Sequence, residues 1–260
     1  MNENERINNI LNLLYKEESV TTERLEDMFE ASPATIRRDL NKLYEKGLIT
    51  RFRGGAMLAR SPYGHEPTLQ EREVDNLQKK RVIAIKAADL VKEGEVIALD
   101  VGSTTIEMAK ALRGRNNITV FTASLDIAAI FQNTNVVVYL VGGVLRSKEN
   151  CLGGPIARDV IRQYHFDKFF LGVAGVSEKS GLTDFGMDEV ETKRAFIERS
   201  KEVITLCDSS KFGKVSFVTI CKLFDIQHII TDEDIDPQMK TALTKKGIDL
   251  IIAGGFENPV

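Results

Sequence analysis

The chain has 260 residues, of which 43% are hydrophobic and 28% charged, so it can bury a sizeable core and is not a disordered chain. Its formal net charge of −3 gives no overall indication of a nucleic-acid partner. Three widely separated cysteines argue against a disulfide framework or a zinc site. The polar start and the short apolar runs predict a soluble, cytoplasmic protein with no membrane partner.

Charge is distributed unevenly at the beginning of the chain. Residues 1–31 carry three basic and eight acidic residues, whereas residues 32–60 carry seven basic and two acidic residues. A short basic segment in a nearly neutral protein creates the kind of local field that attracts a phosphate backbone. A solvated helix face has the same composition, so the local structure has to decide between the two interpretations.

The segment before this basic stretch has the pattern of two helices. Apolar residues at helical intervals predict a first helix over 5–16. A second helix begins at Thr21 or Thr22, either of which can cap it, and ends at a very short turn at 30–31.

A third helix, over 33–46, is the predicted DNA-reading element. Ser32 caps it, Pro33 fits its first position and Gly47 ends it. Asp39 lies beside the apolar stripe and is predicted to form an ion pair within the module. The apolar stripe consists of Ile36, Leu40 and Leu43. The candidate DNA-binding residues on the other faces are Ala34, Thr35, Arg37, Arg38, Asn41 and Lys42. Because Arg and Asn can read guanine and adenine edges, the pattern predicts a helix-turn-helix.

A small wing follows the third helix. Alternating residues over 48–53 and a turn at Gly54-Gly55 predict a hairpin. Arg51 and Arg53 on this wing are expected to contact phosphates, which adds affinity without sequence preference. A winged helix that binds proteins instead of DNA is the alternative interpretation, and it does not explain why the basic residues lie on the third helix and the wing.

The rest of the chain changes character after a polar, proline-containing stretch. We predict a winged helix-turn-helix over 1–58, a linker over 59–75 and an effector-binding domain over 76–260. In the last segment, near-continuous apolar strands alternate with helices, which predicts an α/β domain with a largely parallel, Rossmann-like sheet covered on both faces. The expected strands are EVIALD, ITVFTA, VVVYLVGG, DKFFLGVAGV, EVITLCD, HIITD and DLIIA.

Small and polar residues end strand after strand in this domain. Ligands of such sheets bind at the carboxyl ends of the strands, so these residues are candidates for a binding site. They fall in the segments 100–105, 122–124, 142–143, 181–184 and 208–211. Ser and Thr also cap helices everywhere, and Lys193 and Arg146 could equally be surface residues. The three separated histidines show no metal-ligand spacing, and no catalytic triad is visible, so neither a metal nor a cofactor is predicted.

These motifs together resemble the DeoR family of bacterial transcription regulators. SPATIRRDLNKLYEKGLITRFRGGAML is similar to the family's helix-turn-helix and wing. The motifs DVGSTT, TAS, VGG, GLTD, DEVETKR and CDSSKFGK are similar, in this order, to its sensor domain. The resemblance implies a sensor that resembles ribose-5-phosphate isomerase, a phosphorylated sugar as effector and repression of carbohydrate-use genes.

Site residues are implied by this resemblance as well. It places DNA contacts at Thr35, Arg37 and Arg38. With Asp184 added from the strand-end pattern, the candidate effector-binding residues are Asp100, Gly102, Ser103, Thr104, Thr105, Thr122, Ser124, Gly142, Gly143, Asp184, Lys193 and Lys211.

The expected function is a switch between double-stranded operator DNA and a phosphorylated sugar. Paired recognition helices match paired half-sites, so a homo-oligomer, either a dimer or a tetramer, is expected. A sugar-phosphate isomerase with a DNA-binding appendage is the second hypothesis, and it needs a base placed beside a carbonyl. A protein-interaction module without a DNA role is the third.

Overall fold

The computed structural model describes residues 3–17, 19–45, 48–52, 54–58, 67–147 and 149–254. Within this description the chain forms two compact units, residues 1–65 and 66–260. No helix in the described ranges is both long enough and apolar enough to cross a membrane.

The first unit combines three helices with a small antiparallel sheet. Its elements are α1 (Glu3–Glu17), β1 (Ser19–Thr21), α2 (Thr22–Phe29), α3 (Pro33–Glu45), β2 (Ile49–Phe52) and β3 (Gly55–Leu58). The strands lie in the order β1-β3-β2, and β2 and β3 form the predicted wing. The sequence does not predict β1, because a three-residue strand with one buried side chain, Val20, shows no periodicity.

The predicted caps and core stripe of this unit are confirmed. The amide of Arg24 donates to the Thr21 hydroxyl at 3.3 Å, and the amide of Thr35 donates to the Ser32 hydroxyl at 3.3 Å. Each cap satisfies an amide that the helix itself leaves unpaired. The stripe on α3 is buried against α1 and α2, in a cluster that includes Ile10, Leu14, Leu25, Ile36, Leu40 and Leu43. Lys46, Gly47 and Arg53 lie outside the described residues.

An ion pair joins the first and third helices inside this unit. Arg6 Nε donates to Asp39 Oδ2 at 2.5 Å, and a second guanidinium nitrogen donates to Oδ1 at 3.2 Å. The side chain of Asp39 is only 1% exposed. The predicted structural role of Asp39 is therefore confirmed.

The second unit contains helices and strands throughout its length. Its helices are α4 (Leu69–Val74), α5 (Leu77–Ala88), α6 (Ser103–Leu112), α7 (Leu125–Ile130), α8 (Pro155–Ile161), α9 (Met187–Arg199) and α10 (Pro237–Lys245). Its strands are β4 (Val96–Leu99), β5 (Thr119–Thr122), β6 (Val137–Leu140), β7 (Val144–Arg146), β8 (Cys151–Gly153), β9 (Phe166–Gly172), β10 (Gly175–Ser177), β11 (Gly181–Asp184), β12 (Ser200–Leu206), β13 (Val218–Cys221), β14 (His228–Asp232) and β15 (Asp249–Ala253).

Seven of these strands form one parallel sheet in the order β15-β14-β12-β9-β4-β5-β6. Successive residues of one strand enter different cores: Phe169 joins one buried cluster and Phe170 the other. Both faces of the sheet are thus covered, as predicted from the apolar strands. The chain builds outward from β4 to β6 and then returns to β9 beside β4, so the strand order reverses between β4 and β9.

Three parts of the second unit differ from the prediction. The segment DKFFLGVAGV is not one strand but two, and β10 joins a separate antiparallel sheet of order β10-β11-β13. Residues 142–153, expected as strand end and loop, contain the antiparallel hairpin β7–β8.

The predicted linker is also too long. Its last part forms α4, which begins with a capping box between Thr68 and Glu71, and its Leu69 is buried in the core. Residues 59–66 lie outside the described residues. The second unit therefore takes in α4 rather than beginning at residue 76.

We predict that Asp39→Ala destabilises the first unit by about 3–5 kcal/mol, because it removes the buried carboxylate that pairs with Arg6. The control is Arg24→Ala, which removes the more exposed pair with Glu17 and should cost less than about 1 kcal/mol. The denaturant dependence of amide exchange in α3 measures both values. Equal losses in the two variants would contradict the structural role of the buried pair.

Candidate DNA-binding helix and ligand pocket

The outward face of α3 presents the side chains that the sequence proposes for DNA contact. Ala34, Arg37, Arg38 and Asn41 are exposed, while Thr35 and Lys42 are half-buried. None of these four exposed side chains belongs to the apolar stripe, so the packing of α3 does not depend on their conformations. A helix with this face, after a turn closed by the left-handed residue Glu30, has the geometry of a recognition helix.

Two contacts order this face. The hydroxyls of Ser32 and Thr35 are hydrogen-bonded at 2.9 Å at the start of the helix. Arg51 of the wing donates to the side-chain oxygen of Asn41, which links β2 to α3. The side-chain oxygen of Asn41 therefore accepts from the wing, and its side-chain nitrogen is the atom that can donate to a base.

The strand-end candidates of the second unit meet where the strand order reverses. Asp100 follows β4, and its Oδ2 accepts a hydrogen bond of 2.9 Å from the amide of Gly172 at the end of β9. The crevice between two strands at such a reversal is where open α/β sheets bind ligands.

Lys193 of α9 lies at the centre of this crevice. Its ammonium is 2.5 Å from Asp184 Oδ2, 2.9 Å from Asp100 Oδ2 and 3.4 Å from Glu189 Oε1. It also donates to the carbonyl of Gly172 at 3.0 Å. The Lys193 side chain is only 2% exposed, so this is a buried cluster of one cation and three carboxylates. We call it the Lys193 cluster.

Burial and charge act in opposite directions on this cluster. Burial raises the pKa of Asp100 and raises that of Glu189 to about 7, and the positive charge of Lys193 opposes both shifts. Burial alone would lower the pKa of Lys193, but the three carboxylates hold it well above its ordinary value. Lys193 is therefore positively charged at every physiological pH, and the raised pKa of Glu189 lies near neutrality.

A small, partly open pocket lies beside the cluster. Its lining comes from four places in the fold: the end of β4, the end of β5, the hairpin β7–β8 and the first turns of α9. The lining residues are Asp100, Val101, Ala123, Arg146, Cys151, Leu152, Gly153, Asp188, Glu189 and Thr192. Arg146 Nη1 lies 3.5 Å from Glu189 Oε2, so a guanidinium faces the carboxylate across the pocket.

The other candidates near Asp100 begin α6. Gly102 precedes this helix, and Ser103 and Thr104 occupy its first turn. The Thr105 hydroxyl lies 2.7 Å from the carbonyl of Asp100 and 2.8 Å from that of Gly102, so it holds the loop together. Free amides and hydroxyls at a helix start suit an anion.

Thr122 and Ser124 lie at the end of β5 and have local roles. The Thr122 hydroxyl accepts from the amide of Ser124 at 3.1 Å, and the Ser124 hydroxyl caps α7 by accepting from the amide of Ile127 at 3.2 Å. Both residues are fully buried. Ser124 therefore caps a helix, whether or not a ligand touches it.

Gly142 and Gly143 lead from β6 into the hairpin β7–β8. Gly143 has a φ of +128°, and a Cβ on it would lie 2.3 Å from the carbonyl oxygen of Gly153. Only glycine permits this approach, so Gly143 has a packing role whether or not a ligand touches it.

Lys211 belongs to a different polar group. It lies in the short 3-10 helix Ser209–Lys211 after β12, and it is near enough to Lys80 to lower the pKa of that buried lysine, although burial lowers it more. Asp208 in the same group accepts from Asn76 at 3.2 Å. The candidate site predicted from the sequence therefore contains residues of two separate polar groups, one around Lys193 and one around Lys211.

Three residues that line the pocket, Glu189, Asp188 and Thr192, are not among the candidates predicted from the sequence, and Arg146 had two interpretations. Glu189 and Lys193 are four residues apart on one helix, which is the spacing of facing side chains, so a signal was present. For Arg146 no such signal exists, because its partner is 43 residues away. Across the described ranges, no group of His, Cys, Asp or Glu side chains has the geometry to hold a metal ion.

A winged helix-turn-helix combined with a pocket at the reversal point of a parallel sheet defines a DNA-binding regulator with a ligand-binding domain. Comparison with known proteins agrees. The sequence matches the DeoR-like helix-turn-helix domain over residues 6–61 and the DeoR C terminal sensor domain over residues 75–233. The chain therefore belongs to the DeoR family of transcription regulators, and the family resemblance noted from the motifs is confirmed.

Full-length relatives support the same conclusion. The HTH-type transcriptional regulator GlpR of Haloferax volcanii is 35% identical over 95% of this chain and 96% of its own length. The Glycerol-3-phosphate regulon repressor of Escherichia coli is 34% identical over 96% of this chain and 99% of its own. Because these relatives are regulators, the chain is a regulator and not an isomerase.

Among solved structures, ribose 5-phosphate isomerase A of Methanocaldococcus jannaschii is similar to this chain with a TM-score of 0.41. The sequences are 21% identical, and the match covers 54% of this chain and 56% of that one.

We predict that Glu189 makes the protein less stable as the pH rises from about 4.5 to about 7. Its folded-state pKa is raised, so in this window the folded protein binds more protons than the unfolded chain, and the free energy of unfolding falls. Glu189→Gln mimics the protonated acid and should flatten this dependence in urea unfolding measured between pH 5 and pH 8.

The control for this measurement is Glu191→Gln, which lies two residues away and faces Arg194 and Arg158. It should keep the wild-type dependence on pH. A Glu189→Gln variant whose stability varies with pH as steeply as the wild type would contradict the assignment.

Proposed function

We propose that this protein is a repressor of carbohydrate-use genes and that a phosphorylated sugar controls its binding to operator DNA. The observation that carries the proposal is the Lys193 cluster and its pocket, which offer acceptors and donors for a small polar ligand in a protein that binds DNA. The relatives regulate transcription, and one is named for the glycerol-3-phosphate regulon.

The chemistry of the pocket suits a ligand with both hydroxyls and an anionic group. Asp100, Glu189 and Asp188 supply carboxylate oxygens, which accept hydrogen bonds from sugar hydroxyls. Arg146 supplies guanidinium donors to the pocket, which favour a phosphate. A neutral sugar offers this guanidinium no anion, and free phosphate offers the carboxylates few hydrogen-bond donors.

Control of DNA binding requires that ligand and operator affinities depend on each other. A coupling free energy of about 1–3 kcal/mol changes operator affinity by roughly 5–150-fold. We propose a homo-oligomer, a dimer or a tetramer, because two recognition helices then bind two half-sites one helical turn apart. Residues 66–260 form the effector-binding part in this proposal, and the segment before α4 is the link.

We predict that Arg37→Ala combined with Arg38→Ala abolishes specific DNA binding while the fold is kept. Each lost arginine contact to a base costs about 1–3 kcal/mol, so the pair should weaken binding by roughly 30-fold or more. The measurement is fluorescence anisotropy with a duplex that the wild-type protein selects from a randomised pool.

The matched control is Arg24→Ala, which removes an exposed arginine of α2 in the same unit. It should bind the duplex like the wild type. Unchanged affinity of the double variant would favour the protein-interaction module over the DNA-binding role.

We predict that phosphorylated sugars raise the melting temperature of the protein. A ligand at 100 times its Kd adds about 2.7 kcal/mol of stability. The panel contains glycerol 3-phosphate together with pentose and hexose phosphates, each compared with its unphosphorylated form. Arg146→Ala should lose the response, whereas Arg158→Ala on α8 should keep it, because Arg158 faces Glu191. If no phosphorylated sugar shifts the melt of the wild type, the effector is wrongly assigned.

A further inference from the structure

An ion pair connects α4, the first described helix after the DNA-binding unit, to the hairpin β7–β8 beside the ligand pocket. Arg72 of α4 forms an ion pair with Glu149, which lies between β7 and β8, 77 residues further along the chain. Both side chains are largely buried, with exposures of 19% and 5%. A buried pair of this kind loses much more when one partner moves than a pair on the surface does.

Glu149 is in turn joined directly to a residue of the pocket. Its amide donates to the carbonyl of Arg146 at 3.2 Å, and this hydrogen bond closes the turn of the hairpin. The Arg146 guanidinium lines the pocket and faces Glu189. A ligand that draws Arg146 away from Glu189 therefore acts on the same short turn that carries Glu149.

Arg72 also has a second carboxylate within electrostatic reach. Burial raises the pKa of Glu189, and the positive charges of Lys193 and Arg72 oppose that shift. The Nε of Arg72 is buried and has no hydrogen-bond partner in the part of the chain that the structure describes. Since a guanidinium carries five donors, Arg72 still has one with which to respond when the charge or position of Glu189 changes.

The other end of α4 is held in place. Lys80, which is buried at 3% exposure, donates to the backbone carbonyls of Arg72 and Asp75, the latter at 2.6 Å. Asn76 donates to Asp208 at the end of β12 at 3.2 Å. The helix is thus fixed where it meets α5, and the side-chain contact of Arg72 connects it to the hairpin beside the pocket.

We propose that Arg72 and Glu149 transmit the state of the ligand pocket to the segment that leads to the DNA-binding unit. This inference rests on the proposed function, in which the ligand binds beside Arg146 and Glu189. Ligand contact with Arg146 moves the hairpin turn, the ion pair between Glu149 and Arg72 changes its geometry, and α4 becomes more or less firmly held. Arg72 and Glu149 are positioning residues in this scheme and need not touch the ligand.

An ion pair between Arg72 and Glu149 that only stabilises α4 predicts a different result from one that transmits the state of the pocket. If Arg72 and Glu149 only stabilise α4, a change at Arg146 leaves α4 alone or affects it independently of Glu149. If they transmit, the effect of Arg146 on α4 requires the Glu149 carboxylate. A double-mutant cycle separates the two cases, because it measures the interaction and not the single losses.

The experiment measures amide hydrogen exchange over residues 71–75 of the full-length protein, without ligand, in the wild type, Arg146→Ala, Glu149→Gln and the double variant. Each single variant should speed exchange in α4 by about fivefold or more, at the lower bound for coupled sites. The double variant should exchange no faster than Glu149→Gln alone. The matched control is Glu95→Gln, which removes a largely buried pair with Lys168 at the amino ends of the strands and should leave α4 unchanged.

Two results would overturn the proposal: exchange in α4 that is unaffected by Arg146→Ala, or an Arg146→Ala effect of the same size with and without the Glu149 carboxylate. Circular dichroism and a cooperative urea transition verify that each variant is folded. The exchange measurement needs no sugar phosphate, so its outcome does not depend on the effector assignment. A thermal-shift panel without a response would reject that assignment and would not change the measured coupling between Arg146 and α4.

Discussion

The buried ammonium of Lys193 is the group on which the second unit depends. Removing a charge from water costs several kcal/mol, and only close, well-placed partners offset that cost. The partners of Lys193 come from four elements: Asp100 after β4, the Gly172 carbonyl of β9, Asp184 of β11 and Glu189 of α9. One cation thus joins the parallel sheet, the small antiparallel sheet and a helix at the point where the strand order reverses. The pocket opens beside this junction, so the groups that hold the fold together there also face the ligand.

The charges of the cluster do not balance, and this imbalance determines the chemical character of the pocket. Three carboxylates surround one ammonium, with the Arg146 guanidinium at 3.5 Å from Glu189 as a weaker second cation. Burial raises the pKa of Glu189 to about 7, so this acid is partly protonated near neutrality. The protonation reduces the excess of negative charge in the cluster. Hydroxyl donors from a ligand would stabilise the ionised form instead. In the proposed function, ligand affinity should therefore depend on the ionisation of Glu189.

How far the sequence predicts this protein depends on whether the relevant contacts are local. The helices and caps of the first unit were predictable, because Thr21 and Ser32 act on amides three residues away. The parallel sheet was predictable from its apolar strands, and Asp100 was a site candidate because it follows a strand. Lys193 lies on a helix, and it was a candidate only through the family resemblance. The helix α4 was missed, although its capping box was visible in the sequence, because residues 69–74 follow prolines and show no apolar period. The pairs Arg72–Glu149 and Arg146–Glu189 span 77 and 43 residues, and no local pattern can indicate contacts of that range.

The two units divide the work of a switch in a physically meaningful way. Within its own unit, the recognition helix is stabilised by its core stripe and by the pair of Asp39 with Arg6. In the proposed function, the ligand alters how firmly α4 is held, and so how the recognition helices of the proposed oligomer are presented to two half-sites. A change that acts on the simultaneous use of two half-sites is sufficient for a coupling of about 1–3 kcal/mol.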